Sequence, residues 1–228
     1  MAAPRIAVLD YGIGNLRSAE KGLQRAGANA TLTSSAAEVE AADGVVLPGV
    51  GNFGRCMEAL AETGLGTVAV DAAASGRPFI GICVGMQLMF EGSAEAPDHP
   101  GLGIFRGRVE RLDDDAVKVP QMQWNALSVV RDSPMLKGLD GEWMYFVHSY
   151  AARVDGDLIA ATCDYGGPVV AAVERGSVWA TQFHPEKSGD AGLVLLENFV
   201  HFVKQHSIEK QPSIEKQPSI ELNGSETQ

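Results

Sequence analysis

Three stretches of the 228-residue chain carry side chains able to do chemistry together. The first is GICVGMQ, residues 81–87, where Cys83 stands in the spacing G-x-C-x-G. A sharp strand-to-helix turn strains its central residue and needs neighbours without Cβ, so this spacing suits a thiol nucleophile elbow. A side chain there projects at the carboxyl end of a parallel sheet, where open α/β folds place ligands. The helix that follows favours a thiolate and leaves free N–H groups for an oxyanion. The pattern also fits a small buried hydrophobe, because free cysteine is among the most buried residue types. Cys56, in FGRCMEAL, and Cys163, in AATCDY, sit inside apolar patterns and read as core.

A nucleophilic thiol needs a base. The chain has five histidines. His201 and His206 fall in a C-terminal helix, His99 in the turn PDHPG, and His148 in the strand-like YFVHSY, where a hydrogen-bonded core role fits. His184, in TQFHPEKS, ends an apolar strand, and Pro185 biases it toward an extended backbone. In an extended segment Glu186 shares its face, so the carboxylate can orient the imidazole as in a nucleophile–base–acid triad. A solvated Glu beside a capped strand end is the plainer alternative. A zinc site on Cys83, His184 and Glu186 lacks zinc-type ligand spacing, and no metal or cofactor is expected.

The third stretch, LPGVGNFG at 47–54, follows a strand and offers exposed backbone N–H groups that can complete an oxyanion hole. No G-K-[ST] follows, so it is not a phosphate loop. In DYGIGN (10–15) the dinucleotide pattern G-x-G-x-x-G breaks at Arg17.

The elements that must position these residues alternate over the first ninety positions. RIAVLD (5–10), NATLT (29–33), GVVLPG (44–49) and RPFIGI (77–82) read as strands. Residues 15–28 read as a helix with Leu16, Ala19, Leu23 and Ala26 on one face; 53–64, capped by Gly64, and 84–92 are also helical. That alternation implies a parallel sheet with helices on its faces. After about residue 100 come strand-like runs at 101–112, 142–154, 157–165, 168–176 and 177–183. A closing helix at 189–206 carries Leu193, Leu196, Val200 and Val203 as its apolar stripe. The fold class is therefore α/β: a mainly parallel central sheet with flanking helices, plus additional antiparallel strands in the C-terminal half.

SIEKQPSIEKQPSIE (207–221) repeats a six-residue unit that is polar and proline-punctuated. It is too short to stack as a solenoid, so the chain divides into a domain at 1–206 and a disordered repeat tail at 207–228, with a binding segment as the alternative. A net charge of −11 argues against nucleic acid and anionic membranes as partners. Three scattered cysteines make no disulfide framework, and neither a signal peptide nor a membrane-length apolar run stands out. These features predict a soluble protein of a reducing compartment, the cytoplasm.

Together, PGVGNF, GICVGMQ and TQFHPEKS resemble the three signature blocks of class I glutamine amidotransferases. DYGIGNLRS (10–18), PQMQWN (120–125) and YFVHSY (145–150) resemble the glutaminase subunit family of imidazole glycerol phosphate synthase, in histidine biosynthesis. The resemblance covers roughly residues 5–204 and places Cys83, His184 and Glu186 on the family's triad. It implies attack of Cys83 on the side-chain amide of L-glutamine, a glutamyl thioester, and release of glutamate and ammonia. It gives the oxyanion to the backbone N–H groups of Val84 and Val50, and the substrate to Gly51, Gln87, Glu95, Ser149 and Tyr150. It also implies a heterodimeric partner, a HisF-type (β/α)8-barrel cyclase that receives the ammonia and makes imidazole glycerol phosphate and AICAR. Asn15, Trp124 and Lys187 match positions at that docking face, with a core aromatic as the alternative for Trp124. Gln121 and Gln123 stand where the family usually has a histidine and a glycine, in the expected docking loop.

Overall fold

The computed structural model describes residues 2–113, 115, 117–154 and 156–209 of the chain. Its first half runs β1 (Arg5–Leu9), α1 (Leu16–Arg25), β2 (Asn29–Thr33), α2 (Ala36–Ala41), β3 (Gly44–Gly49), α3 (Phe53–Thr63), α4 (Leu65–Ala74), β4 (Phe79–Cys83) and α5 (Val84–Leu88). The second half is mostly strand: β5 (Arg108–Arg111), β6 (Gln121–Ala126), β7 (Ser128–Val129), β8 (Trp143–His148), β9 (Tyr150–Arg153), β10 (Ile159–Asp164), β11 (Pro168–Arg175) and β12 (Val178–Thr181). Helix α6 (Gly189–Glu209) closes it.

Eight strands form one sheet in the order β2-β1-β3-β4-β12-β11-β10-β7. β1 pairs with β2 and β3, and β4 with β3 and β12, all parallel. β11, β10 and β7 extend the sheet in antiparallel fashion. This is the expected architecture: buried parallel strands read as continuous apolar runs, and β3 and β4 are buried at every position. Two separate antiparallel ladders, β5 with β9 and β6 with β8, stand beside the main sheet. The core is continuous across both faces of that sheet, with Trp179, on β12, packed against Phe199 of α6.

Register brings the functional stretches to one place. Gly49, the last residue of β3, pairs with Cys83, the last of β4. On the other side Thr181, the last of β12, pairs with Ile82. Three strand ends therefore open onto one edge of the sheet, the carboxyl end.

Several elements differ from the sequence reading. The helix expected over 84–92 stops at Leu88. Residues 101–107, expected as strand, instead donate backbone N–H groups to α5 and the turn after it, as Leu102 does to the Leu88 carbonyl and Phe105 to that of Met89. Those bonds satisfy the helix-end carbonyls, which leaves only Arg108–Arg111 free to pair as a strand. The run at 142–154 breaks at Ser149, and its halves join different ladders. Gln121 and Gln123, expected in a docking loop, lie in strand β6. On α6, Leu193 is only half-buried, while Leu195 and Phe199 join Leu196, Val200 and Val203 in the core. Helix α6 also runs past residue 206, to Glu209; the tail expected beyond lies, from residue 210 on, outside the described residues.

Candidate active site

Cys83 adopts φ +56°, ψ −114°, and is the one non-glycine residue with positive φ among the described residues. A Cβ-bearing residue held in this region stores strain that the surrounding packing must impose. The packing is visible: a Cβ on Gly49 would lie 2.5 Å from the Gly85 amide nitrogen, and one on Gly85 would lie 1.9 Å from the Leu47 carbonyl oxygen. The end of β3 and the first turn of α5 thus touch backbone to backbone, which only glycine permits on both sides. Because α5 has only five residues, its dipole is weaker than the sequence reading assumed.

His184 leaves β12 with an extended backbone (φ −100°, ψ 98°), and Pro185–Lys187 then form a single 3-10 turn. Its Nδ1 lies 2.7 Å from Glu186 Oε1, and both side chains are 2% exposed. The carboxylate reaches the imidazole across this turn, not along a strand face as the spacing predicts. Asn15 donates its Nδ2–H to the same Oε1 at 3.1 Å. With Nδ1 held by Glu186, Nε2 is the ring nitrogen left to face Cys83, and both residues line one cleft. Burial pushes the imidazole pKa down, but the Cys83 and Glu186 hydrogen bonds and negative charges outweigh it and lift it to about 9. For Glu186, burial raises the pKa, but the hydrogen bond and charge of His184, its own backbone N–H and Asn15 hold it below the ordinary carboxylate value.

Around this pair lies a cleft of about 370 Å³, in the range that holds small-molecule ligands. Ten of the thirteen residues singled out from the sequence line it: Val50, Gly51, Cys83, Val84, Gln87, Glu95, Ser149, Tyr150, His184 and Lys187. Glu186 stands behind His184, and Asn15 behind Glu186. Trp124 lies outside the cleft and is 45% exposed, so it is not a core aromatic. Glu95 Oε2 accepts from the Phe53 N–H at 2.8 Å, which ties this carboxylate to the loop leaving β3. Gln121 is buried, donating to Asn125 Oδ1 at 2.9 Å, whereas Gln123 is exposed.

The structure adds residues that the sequence reading passed over. Gln182 donates to Cys83 Sγ at 3.9 Å and accepts from Gln87 Nε2 at 3.0 Å. Gln87 also donates to the Tyr150 carbonyl, which accepts from His148 Nδ1 as well. Burial, with the charge of His184, pushes the His148 pKa down to about 4 against the opposing bond to Tyr150, so it serves as a neutral, bonded wall of the cleft. Cys56 and Cys163 are buried, as their apolar surroundings suggest.

A strained cysteine at a strand end, sharing one cleft with a histidine that a carboxylate orients, defines a thiol nucleophile and its base in an α/β fold. The glutamine amidotransferase class-I family model matches residues 7–203, and the chain belongs to that family. Within it the chain groups with HisH-type glutaminase subunits. It is 50% identical over 201 residues to "Imidazole glycerol phosphate synthase subunit HisH" of Deinococcus radiodurans, covering 87% of this chain and 94% of that one. The protein of the same name from Methanothermobacter thermautotrophicus is 48% identical over 202 residues, covering 87% and 99%. Among solved structures, a glutamine amidotransferase superposes with a TM-score of 0.68 at 23% identity, over 85% of this chain and 98% of the other. The PurLQS structure from Thermotoga maritima gives 0.70 at 18% identity, over 88% and 99%. These two likenesses bear on the fold alone.

Proposed function

We propose that the chain is the glutaminase subunit of an imidazole glycerol phosphate synthase and works through a cysteine thioester. Cys83 gives its thiol proton to His184 Nε2, and the thiolate beside the imidazolium attacks the side-chain carbonyl carbon of glutamine. The Val84 and Val50 N–H groups hold the oxyanion. The C–N bond then breaks, His184 returns the proton to the departing nitrogen, and ammonia leaves. Water, deprotonated by His184, opens the glutamyl thioester and releases glutamate. Glu186 keeps the imidazole in the tautomer that faces Cys83. Glu95 takes the substrate α-ammonium in a charge-assisted contact, and Gly51, Gln87, Ser149 and Tyr150 line the rest of its path. The observation that carries this reading is Cys83, at φ +56°, in one cleft with a His184 that Glu186 holds at 2.7 Å.

Ammonia released into water becomes ammonium, so the product needs a receiver docked on the cleft. The partner is a (β/α)8-barrel cyclase that uses ammonia to make imidazole glycerol phosphate and AICAR, in the cytoplasm. An exposed apolar face supports this. Cross-strand partners Met122–Val147, Trp124–Tyr145 and Ala126–Trp143 share one side of the β6/β8 ladder. Trp124 and Trp143 there are 45% and 58% exposed, and Val147 also lines the cleft. Asn15, Trp124 and Lys187 are the assigned contacts, with Trp124 as the anchor.

A glutamine analogue carrying a diazoketone in place of the amide tests the mechanism. Peptide mass spectrometry should find it on Cys83 and not on Cys56 or Cys163. Label spread over all three thiols, or on none, contradicts the reading.

A further inference from the structure

Next to Cys83 lies a buried row of side-chain amides that the triad does not use. Gln182, the residue after β12, is fully buried, and its backbone N–H is pinned to the Ala171 carbonyl of β11 at 2.8 Å. Its side-chain Nε2 reaches Cys83 Sγ at 3.9 Å, and its Oε1 accepts from Gln87 Nε2 at 3.0 Å. Gln87 Nε2 gives its other hydrogen to the Tyr150 carbonyl, also at 3.0 Å.

A backbone carbonyl can only accept. It therefore fixes which end of the Gln87 amide is nitrogen, and that nitrogen fixes the facing end of Gln182 as oxygen. The N–H end of Gln182 is left pointing at the sulfur. Turning the Gln182 amide over would set donor against donor in a buried place, which costs the unmade hydrogen bond. A neutral amide takes no proton, so Gln182 is not a base. A thiol is a weak acceptor and a thiolate a strong one, so an N–H held on the sulfur favours the charged form. We propose that Gln182 is a further catalytic residue whose side-chain N–H stabilises the Cys83 thiolate. It does so before attack, and again when the C–S bond of the thioester breaks and its electron pair returns to sulfur. In this row Gln87 acts as a positioning residue, holding the Gln182 amide with its donor toward Cys83. The inference rests on the thioester reading of Cys83.

The test uses the full chain as wild type, Gln182→Leu, Gln182→Glu and Gln87→Leu. The first readout is the rate of iodoacetamide alkylation of Cys83 against pH, followed by peptide mass spectrometry with no substrate present. Gln182→Leu removes the donor at similar volume and should move the midpoint up by about one pH unit. Gln182→Glu still accepts from Gln87 but sets a carboxylate against the sulfur, and should move the midpoint further up. Gln87→Leu keeps Gln182 itself and frees its amide to turn, so its midpoint should move the same way by a smaller step. The second readout is kcat for glutamine with the cyclase and its ligand, which should fall about 10-fold in Gln182→Leu and further in Gln182→Glu. A merely structural role would spare Gln182→Glu more than Gln182→Leu, because a carboxylate is the closer match in shape and keeps the bond to Gln87. Unshifted midpoints in the two leucine variants, wild-type kcat in Gln182→Leu, or Gln182→Glu closer to wild type than Gln182→Leu overturns the proposal and leaves the thioester reading standing. A wild type that releases no glutamate overturns the thioester reading itself.

Discussion

At the scale of single residues, the His184–Glu186 pair sets a pH dependence of stability. His184 has its folded-state pKa raised from an ordinary 6.5 to about 9, so its stabilising contribution is complete below pH 6.5 and fades as pH rises through about 9. Glu186 is shifted the other way, below an ordinary 4.5, so its contribution is complete above pH 4.5 and lost as pH falls through the depressed value. The stability lost on Glu186→Gln, read from urea unfolding at a series of pH values, should therefore be largest between pH 4.5 and 6.5 and shrink toward pH 9. The same variant should lower the His184 pKa in an NMR titration and reduce kcat on the order of 10³-fold, since the imidazole loses its orienting partner. An unchanged His184 pKa would remove Glu186 from the proposed role. Cys83, His184 and Glu186 were legible in the sequence because each lies in a short motif with its own local reason. Asn15 was legible only as a docking residue. Its bond to Glu186 spans 171 positions, and nothing in local spacing announces it. Gln182 did leave a signal: in an extended segment it lies two positions before His184, on the same face, so the face argument applied to Glu186 also reaches back to it.

At the scale of elements, the parallel half of the sheet was legible almost to the residue. The reason is that β1, β3 and β4 are apolar runs, each bounded by a turn or a glycine. Helix α3 was equally clear, with Asn52 capping its start and Gly64 in the left-handed region at its end. Helix α2 was missed although Ser35 accepts from the Glu38 N–H, the serine-to-glutamate spacing of a capping box. The second half was read less well because strand limits there depend on which neighbour pairs with which. Residues 101–107 look like strand but spend their N–H groups on the end of α5, a choice fixed by tertiary contact. The backbone contact of Gly85 with Leu47 carries the geometry of the elbow. Gly85→Ala should therefore cost about 2–4 kcal/mol in urea unfolding, because a backbone carbonyl cannot yield as a flexible side chain does. A loss below about 0.5 kcal/mol would show that the elbow tolerates separation.

At the scale of the whole molecule, the sheet gathers three strand ends into one cleft, and the β6/β8 ladder sets an apolar face at its mouth. No helix among the described residues is long and apolar enough to cross a membrane. Trp124 was singled out in the sequence as a docking candidate and is exposed; the exposed Trp143 beside it was not, because only the pairing of β6 with β8 puts the two on one side. Trp124→Ala should leave unfolding stability within about 0.5 kcal/mol of wild type but weaken cyclase binding by about 2 kcal/mol or more in calorimetry. The reverse pattern would make it a packing residue. The central claim is that this cleft hydrolyses glutamine for a docked cyclase, and glutamate release tests it most directly. It is measured for the full chain alone, with the cyclase, and with the cyclase and its nucleotide ligand. The account predicts slow release alone, strong stimulation in the full mixture, and none from Cys83→Ser. A rate indifferent to the cyclase, or a Cys83→Ser variant as active as wild type, contradicts it.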